Sequence, residues 1–453
     1  MKKIHFIAMG GSVMHQLAIT LKNKGYTVTG SDDEIYEPAH TNLEKAGLLP
    51  AVEGWHPEKI TPAIDAVILG MHARSENPEL QKARSLHIPV YSFPEYIYEE
   101  SKQKERVVVG GSHGKTTITS MILHVLKQCG KDFDYLVGAQ LPGFEYSVKI
   151  SDAPVIICEG DEYPASAMQK IPKFLFYHPQ MAALSGIAWD HINVFPTFEN
   201  YVEQFAVFIR EMEPGATLIY NSLDRELAKV VEKEGKHLQL IPYKIPEYHI
   251  ENGKTMVRFG DLTTTLEVFG SHNLENLLAA KLVCEKLGIA EKDFLRAISS
   301  FKGASKRLEK VFESGDATLY RDFAHAPSKV KASIHAVKEQ FPGRRLTAVL
   351  ELHTYSSLNA QFLPEYHDAM QEADTAVVFF SSHALSIKHL PDLSFEMIRE
   401  GFHRADLHII NKSEDLKSFI NLVPAHHTNL LMMSSGSFGN ITMDEMIKRW
   451  QEK

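Results

Sequence analysis

Seven residues, Gly111-Ser112-His113-Gly114-Lys115-Thr116-Thr117, stand between the apolar run Val107-Val108-Val109 and a helix-forming stretch over 118–127. A buried strand that feeds a glycine turn and then a helix is a cradle for nucleotide phosphates. The glycines let backbone N–H groups close around phosphate oxygens, and the helix N-terminus adds partial positive charge. Lys115 can reach the terminal phosphates and a threonine hydroxyl can hold Mg²⁺. The loop is compressed relative to the G-x-x-x-x-G-K-[ST] pattern. ATP is the expected occupant.

The chain has 453 residues, which points to about three domains, because single cores seldom grow past roughly 250 residues. A formal net charge of -9 excludes a general nucleic-acid binder, whose phosphate contacts need a basic excess. Cys129, Cys158 and Cys284 are isolated in apolar segments, as expected of buried thiols in a reducing compartment. No run approaches the roughly 18 apolar residues of a membrane span. Met1-Lys2-Lys3 and the apolar residues 4–8 resemble a secretory leader only superficially, because Gly10-Gly11 and His15 interrupt them and no small-residue cleavage site follows. The expectation is a cytoplasmic protein, a monomer or weak homodimer.

Short β-rich runs alternate with amphipathic segments from residue 4 to about 104: strands at 4–8, 27–29 and 66–69, helices at 12–24, 41–46 and after Pro78. This βαβ order implies a parallel sheet. The polar stretch 99–105 reads as a linker or a helix end. The middle part adds strands at 155–158 and 182–184 and helices at 198–210 and 273–287. After Phe301-Lys302-Gly303 the βαβ rhythm restarts, with strands at 318–323, 346–350, 376–380, 408–410 and 429–433 and helices from Ser328 and near 361–373. The expected fold class is α/β with three domains, 1–104, 105–303 and 304–453: a Rossmann-like N-terminal domain, a central P-loop ATPase and a Rossmann-like C-terminal domain.

Other clusters of polar residues stand at strand ends. Met9-Gly10-Gly11-Ser12 follows the first strand, and the second ends in Gly30-Ser31-Asp32-Asp33. In a Rossmann-like unit the first turn faces a diphosphate and the acidic residue faces a ribose or sugar hydroxyl, although the full glycine fingerprint is absent. Glu159-Gly160-Asp161-Glu162 follows strand 155–158 and Asp190-His191 follows strand 182–184. Carboxylates there can coordinate the Mg²⁺ that accompanies ATP, and the imidazole can serve as a second metal ligand or a substrate contact. Gly270-Ser271-His272-Asn273-Leu274-Glu275-Asn276 opens a helix with two asparagines on one face, able to read an adenine edge. N-capping explains Asn273 equally well. Lys306-Arg307 offers a cation for the γ-phosphate and Asp322 a carboxylate for the ribose, which would make catalysis depend on domain movement.

Taken in order, Gly-Ser-His-Gly-Lys-Thr-Thr, Glu-Gly-Asp-Glu, Asp-His and Gly-Ser-His-Asn-Leu-Glu-Asn resemble the motifs of the Mur ligases, ATP-dependent amide-forming enzymes of peptidoglycan assembly. The resemblance spans essentially the whole chain. It implies a UDP-binding N-terminal domain, with Gly10, Gly11, Ser12, Ser31 and Asp32 at the UDP-sugar, and a C-terminal domain that brings the amine. It also implies ATP contacts from Gly111, Ser112, His113, Gly114, Lys115, Thr116, Thr117, Asn273, Asn276, Arg307 and Asp322. Thr116, Glu159 and His191 look like metal residues, and Lys115, His191 and Arg307 like catalytic ones. The cofactors implied are ATP and Mg²⁺.

Several family members carry a carbamylated lysine some fourteen or fifteen residues after the Asp-His histidine, whereas Tyr201-Val202-Glu203-Gln204-Phe205 has none. This resembles the branch that joins UDP-N-acetylmuramate to L-alanine or to the tripeptide L-Ala-γ-D-Glu-meso-diaminopimelate. Val13, the segments 30–38 and 43–45, Phe323-Ala324-His325 and Met433-Ser434-Ser435-Gly436-Ser437-Phe438-Gly439 resemble the tripeptide-adding members. Alanine addition is the alternative. Ser185, Arg321, Ala326 and Leu352-His353-Thr354 depart from the family pattern, the last at the expected amine site. The implied reaction activates the lactyl carboxylate as an acyl phosphate that the amine then attacks. A folylpolyglutamate-synthase-like ligase would lack the first 100 or so residues, and a non-catalytic UDP-sugar sensor would not need to keep Lys115, Glu159 and His191.

Overall fold

Apolar runs such as 66–69, 107–109 and 155–158 need cover on both faces, which a parallel sheet between helices supplies. The computed structural model describes residues 1–166, 168–189 and 194–451 of the chain. It divides into two units, one of Met1–Ile187, Val202–Tyr243 and Ala279–Ile289, the other of Ala188–Tyr201, Lys244–Leu278 and Ala290–Lys453.

The first unit holds two sheets. Strands β1 (Lys3–Ile7), β2 (Thr27–Ser31), β3 (Ala66–Leu69) and β4 (Val90–Ser92) form one in the order β2-β1-β3-β4, all parallel. Helix α1 (Met14–Asn23) follows the turn after β1. The second sheet contains β5 (Glu105–Gly110), β6 (Asp134–Leu136), β7 (Val148–Lys149), β8 (Val155–Glu159), β9 (Met181–Leu184), β10 (Thr217–Asn221) and β11 (Gln239–Tyr243). Their order is β11-β10-β9-β5-β8-β6-β7, and only the β6–β7 pair is antiparallel. Central β5 has Val107, Val108 and Val109 wholly buried. It leads into α2 (Lys115–Gln128). Its neighbours come from opposite directions in the strand order, so β5 ends at the kind of crevice where open α/β sheets bind ligands.

In the second unit β12 (Glu247–Glu251), β13 (Lys254–Phe259) and β14 (Leu262–Leu266) form an antiparallel sheet. Helix α3 (Ser271–Lys286) follows it in sequence. Strands β15 (Glu309–Ser314), β16 (Ala317–Asp322), β17 (Arg345–Leu352), β18 (Thr375–Phe380), β19 (His408–Ile410) and β20 (Thr428–Met433) make a sheet ordered β15-β16-β20-β17-β18-β19. All its pairs are parallel except β15–β16. Helices α4 (Pro327–Gln340) and α5 (Phe395–Phe402) belong to this unit. Separate apolar clusters line its two faces, one around Leu350, Val378 and Tyr366, the other around Val349, Phe379 and Trp450.

The α/β class agrees with expectation. Two local expectations do not. The helix near 361–373 is only a 3-10 turn at Leu363–Tyr366, because Pro364 stands at its start and Asp368 takes the left-handed φ of 57°. The antiparallel hairpins β12–β14 were not anticipated, since exposed polar residues dilute their alternation. Cys158 and Cys284 are buried and Cys129 is half-buried. Among the described residues no helix is long and apolar enough to cross a membrane.

Lys104 shows how the polar linker is fixed. Its ammonium is 2.5 Å from Asp134 Oδ2 and donates to the carbonyls of Ser151 and Ala153 at 2.6 and 3.0 Å. Both side chains are buried, so losing one leaves the other charged and unpaired. Asp134→Ala should lower stability by about 3–5 kcal/mol, read as a drop in the urea-unfolding midpoint. A midpoint unchanged from that of the unsubstituted chain would contradict this account.

Candidate active site

The cradle forms where β5 ends. Gly111 has φ 122° and Gly114, capping α2, has φ 75°, a region that side chains rarely tolerate. A Cβ on Gly111 would stand 2.1 Å from Ser185 Oγ and 2.9 Å from Ser185 N. The turn is stitched to the end of β9: Ser112 N donates to Gly186 O at 3.0 Å and Ser185 N to Gly110 O at 3.1 Å. Ser185 Oγ donates to the His113 and Gly110 carbonyls. Asp224 Oδ2 in turn accepts Ile187 N at 2.9 Å. Ser185, a departure from the family pattern, thus holds the outside of the loop.

Inside the cradle the side chains meet the turn after β8. Lys115 Nζ lies 2.5 Å from Glu162 Oε2, a carboxylate with 1% side-chain exposure. Thr116 Oγ1 donates to Glu159 Oε1 at 2.8 Å, whose other oxygen accepts Gly138 N at 3.0 Å. Burial opposes the Lys115 ammonium, but the carboxylates of Glu162, Asp161 and Glu159 outweigh it and hold its pKa above the ordinary value. Burial likewise works against ionised Asp161, and the charges of Lys173 and Lys115 outweigh it and lower its pKa. The result is a fixed ammonium surrounded by oxygen donors, an arrangement suited to a polyphosphate and a hard divalent cation. Ser112, Thr116 and Thr117 are buried, while His113 and Gly114 are half-buried.

The other glycine turn, in the four-stranded sheet, is tied to the end of β2. Ala8 N and Met9 N donate to Ser31 O at 3.0 and 3.1 Å, and Gly10 N donates to Asp32 Oδ2 at 2.6 Å. A Cβ on Gly10 would stand 3.0 Å from that oxygen. Gly11 and Ser12 are exposed beside it, whereas Ser31 is buried. The turn and the acidic strand end are therefore together, with Asp32 organising the turn's backbone. Burial, reinforced by neighbouring Asp33, pushes the Asp32 carboxyl up to about 6.

In the second unit Asn273 and Asn276 are both buried in the first turns of α3. Asn273 Nδ2 donates to Phe269 O at 2.8 Å. The guanidinium of Arg307 stacks on Phe323 at 4.5 Å from the ring centroid, and Phe323 N donates to Lys306 O at 2.8 Å. Asp322, at the end of β16, is buried and accepts from Ser333 Oγ. Arg307 and Asp322 are thus held on one local framework. Arg321, a departure from the family pattern, pairs with Glu309 on the adjacent strand at 2.7 Å. His191, expected at the metal, and Asp190 before it lie outside the described residues.

Two contributors were missing from the expected site residues. Glu162 is the ion-pair partner of Lys115, and Ser185 is the clasp on the cradle. For Glu162 a signal existed in the Glu-Gly-Asp-Glu run at a strand end; for Ser185 there was none, because its role depends on β9 lying beside β5.

Gly111→Ala should weaken ADP binding by about tenfold or more, since a left-handed backbone with a Cβ costs about 1–2 kcal/mol even before the clash with Ser185. Fluorescence titration with a labelled nucleotide measures this, and native affinity in the variant would refute the close approach. Asp32 titrates near 6 rather than at 3.8, so the folded chain favours its protonated form. That stabilising contribution is full below about pH 4 and lost as pH rises through about 6. Asp32→Asn, neutral throughout, should gain melting temperature relative to the unsubstituted chain between pH 5 and 7. A pH-independent difference would contradict the shift.

Known proteins share these features. The Mur ligase middle domain matches residues 109–284, and the Mur ligase family catalytic domain matches 3–105. The UDP-N-acetylmuramate–L-alanyl-γ-D-glutamyl-meso-2,6-diaminoheptandioate ligase of Haemophilus influenzae is 30% identical over 97% of this chain and 98% of its own. The UDP-N-acetylmuramate–L-alanine ligase of a Sulfurihydrogenibium species is 28% identical over 100% and 98%. The crystal structure of the UDP-N-acetylmuramate-alanine ligase of Thermotoga maritima superposes with TM-score 0.69 at 21% identity, covering 100% of this chain and 99% of that one. With a phosphate cradle of the expected form and end-to-end similarity of this extent, the chain belongs to the Mur ligase family, whose members are ATP-dependent ligases that form C–N bonds.

Proposed function

We propose that this ligase joins the lactyl carboxylate of UDP-N-acetylmuramate to the amine of L-Ala-γ-D-Glu-meso-diaminopimelate. The observation that carries this reading is the end-to-end likeness to the Haemophilus relative, whose name specifies that acceptor and that tripeptide. L-Alanine is the second reading, favoured by the Sulfurihydrogenibium relative, which matches the full length of this chain. A non-catalytic sensor fits less well, because Lys115 pairs with Glu162 and Thr116 with Glu159 inside the cradle.

The residues present fit ATP and Mg²⁺. Gly111 leaves room for backbone only, and Thr116 and Glu159 offer oxygen donors beside the Lys115 ammonium. When bound, ATP with Mg²⁺ supplies a phosphoryl group that gives the sugar-borne carboxylate a leaving group. The 111–114 turn and the N-terminus of α2 would hold the phosphates through main-chain N–H groups. Lys115 would exchange Glu162 for the terminal phosphate and offset the charge that develops there. Thr116 and Glu159 would hold the cation, with His191 as a further ligand. Asn273, Asn276, Arg307 and Asp322 would contact the nucleotide, and Gly10, Gly11, Ser12, Ser31 and Asp32 would hold the UDP-sugar.

A competition assay tests the reading: purified protein, ATP, Mg²⁺ and UDP-N-acetylmuramate with equal concentrations of L-alanine and the tripeptide, products followed by mass spectrometry. The expected result is tripeptide product favoured by about a hundredfold in kcat/KM, abolished in Lys115→Ala. Predominant alanine product would establish the second reading, and no ADP release with either amine would overturn both.

A further inference from the structure

Lys173 belongs to none of the motifs read from the sequence, yet its ammonium stands beside the cradle. Lys173 Nζ donates to Asp161 Oδ2 at 2.7 Å, and Asp161 lies in the turn after β8 that also carries Glu162. The same ammonium is 5.9 Å from the ring centroid of Phe93 and 5.8 Å from that of Tyr163. Phe93 opens the helix Phe93–Ser101 directly after β4. Strand β4 is parallel to its sheet neighbours, so Phe93 is at the end of that sheet that carries the Gly10-Gly11 turn and Asp32. Strand β8 is parallel to β5, so Asp161 is at the end that carries the phosphate cradle. Lys173 therefore stands where the ligand ends of the two sheets meet.

The backbone builds this position. Lys173 N donates to Tyr163 O at 3.0 Å and Ala165 N to Ile171 O at 2.9 Å, with Pro164 and Pro172 paired between them. Asp161 Oδ1 accepts Tyr163 N at 3.1 Å, and its carbonyl accepts Phe174 N at 3.1 Å. Phe174, next to Lys173, is wholly buried and stacks on Phe208 at 4.6 Å. Gly160 lets it pack against β5, since a Cβ there would meet Phe174 Cβ at 3.1 Å and Val108 Cγ1 at 2.7 Å. Gln169 Nε2 donates to Glu95 Oε1 at 3.3 Å, while Glu95 Oε2 accepts Ser92 N at 2.7 Å at the end of β4. The lysine is thus anchored to both sheets.

An acid that has to approach a terminal phosphate brings two anions together, and their repulsion grows as water is excluded. A mostly enclosed ammonium at the meeting point offsets it. Lys173 has 14% side-chain exposure, and among the described residues it uses one of its three N–H donors, on Asp161. The aromatic faces attract the cation without using the others. We propose that Lys173 binds the lactyl carboxylate of UDP-N-acetylmuramate and holds it against the phosphoryl group, with Asp161 as the positioning residue that orients the ammonium. The carboxylate oxygen forms its bond to the γ-phosphorus as the bond to the ADP oxygen breaks, and the electron pair leaves with ADP. Lys115 serves the phosphate and Lys173 the attacking acid, so each anion meets its own ammonium. The inference rests on the acceptor proposed above and holds for either amine.

The test is calorimetric titration of the full chain, without ATP, with UDP-N-acetylmuramate and with UDP-N-acetylglucosamine, which lacks the lactyl carboxylate. The unsubstituted chain should prefer the carboxylate-bearing sugar. Lys173→Met should bind UDP-N-acetylmuramate about tenfold or more weakly, the loss expected for a hydrogen bond to a charged group, with UDP-N-acetylglucosamine and ADP affinities within about twofold of native. Lys173→Arg should restore part of the preference, and Asp161→Asn should lose part of it. Should Lys173→Met fail to fold, Lys173→Gln gives the same comparison. Equal binding of the two sugars by the unsubstituted chain, or a preference that survives in Lys173→Met, would overturn this inference alone. Binding of neither sugar would overturn the acceptor reading and the inference with it.

Discussion

The close contact between the glycine turn after β5 and the end of β9 is the constraint on which the candidate site rests. Gly111 has backbone where any other residue would need space already taken by Ser185. This approach lets Ser112 N donate to Gly186 O and Ser185 N donate to Gly110 O. With its outer edge tied to the sheet, the turn starts α2 at a fixed place and directs Lys115 and Thr116 toward the end of β8. Parallel pairing of β5 with both β8 and β9 makes this possible, because all three strands then end on the same side.

Charge balance follows from that geometry. A lysine this enclosed would ordinarily lose its proton to burial, yet the three carboxylates around Lys115 keep it charged. The carboxylates are stabilised by Lys115, Lys173, Thr116 and the Gly138 amide. Ion pairs of this kind contribute little net stability after desolvation. Their value lies in keeping one cation and several oxygen donors oriented for a ligand that replaces part of the network. The four-stranded sheet repeats the theme in weaker form, with Asp32 rather than a lysine fixing the turn.

Three of the departures from the family pattern, Ser185, Arg321 and His353, make specific local contacts. Ser185 closes the cradle from outside, and Arg321 makes a cross-strand ion pair with Glu309. His353 packs beneath Gly436, where a Cβ would stand 2.6 Å from its ring. Glu351 beside it is buried and accepts from Ser434 Oγ and from Phe438 N at 2.8 Å. The loop from Ser434 to Phe438 is therefore held to the end of β17 by a carboxylate.

The sequence by itself determined the α/β class, the strand–turn–helix of the cradle and the acidic strand ends, because each depends on local periodicity and on residues whose backbone preferences are strong. The position of α2 after Gly114 and of the buried runs 66–69, 107–109 and 155–158 was legible for this reason. Hairpins β12–β14 were not, since their strands are half-exposed and alternate weakly. The supposed helix near 361–373 failed because a proline and a left-handed aspartate limited it to one turn. Only the tertiary structure decided that Glu162 pairs with Lys115, that Ser185 clasps the loop and that the Lys173 ammonium lies over the Phe93 ring. Such contacts join residues tens of positions apart, and strand order and side-chain packing, which no local pattern encodes, bring them within bonding distance.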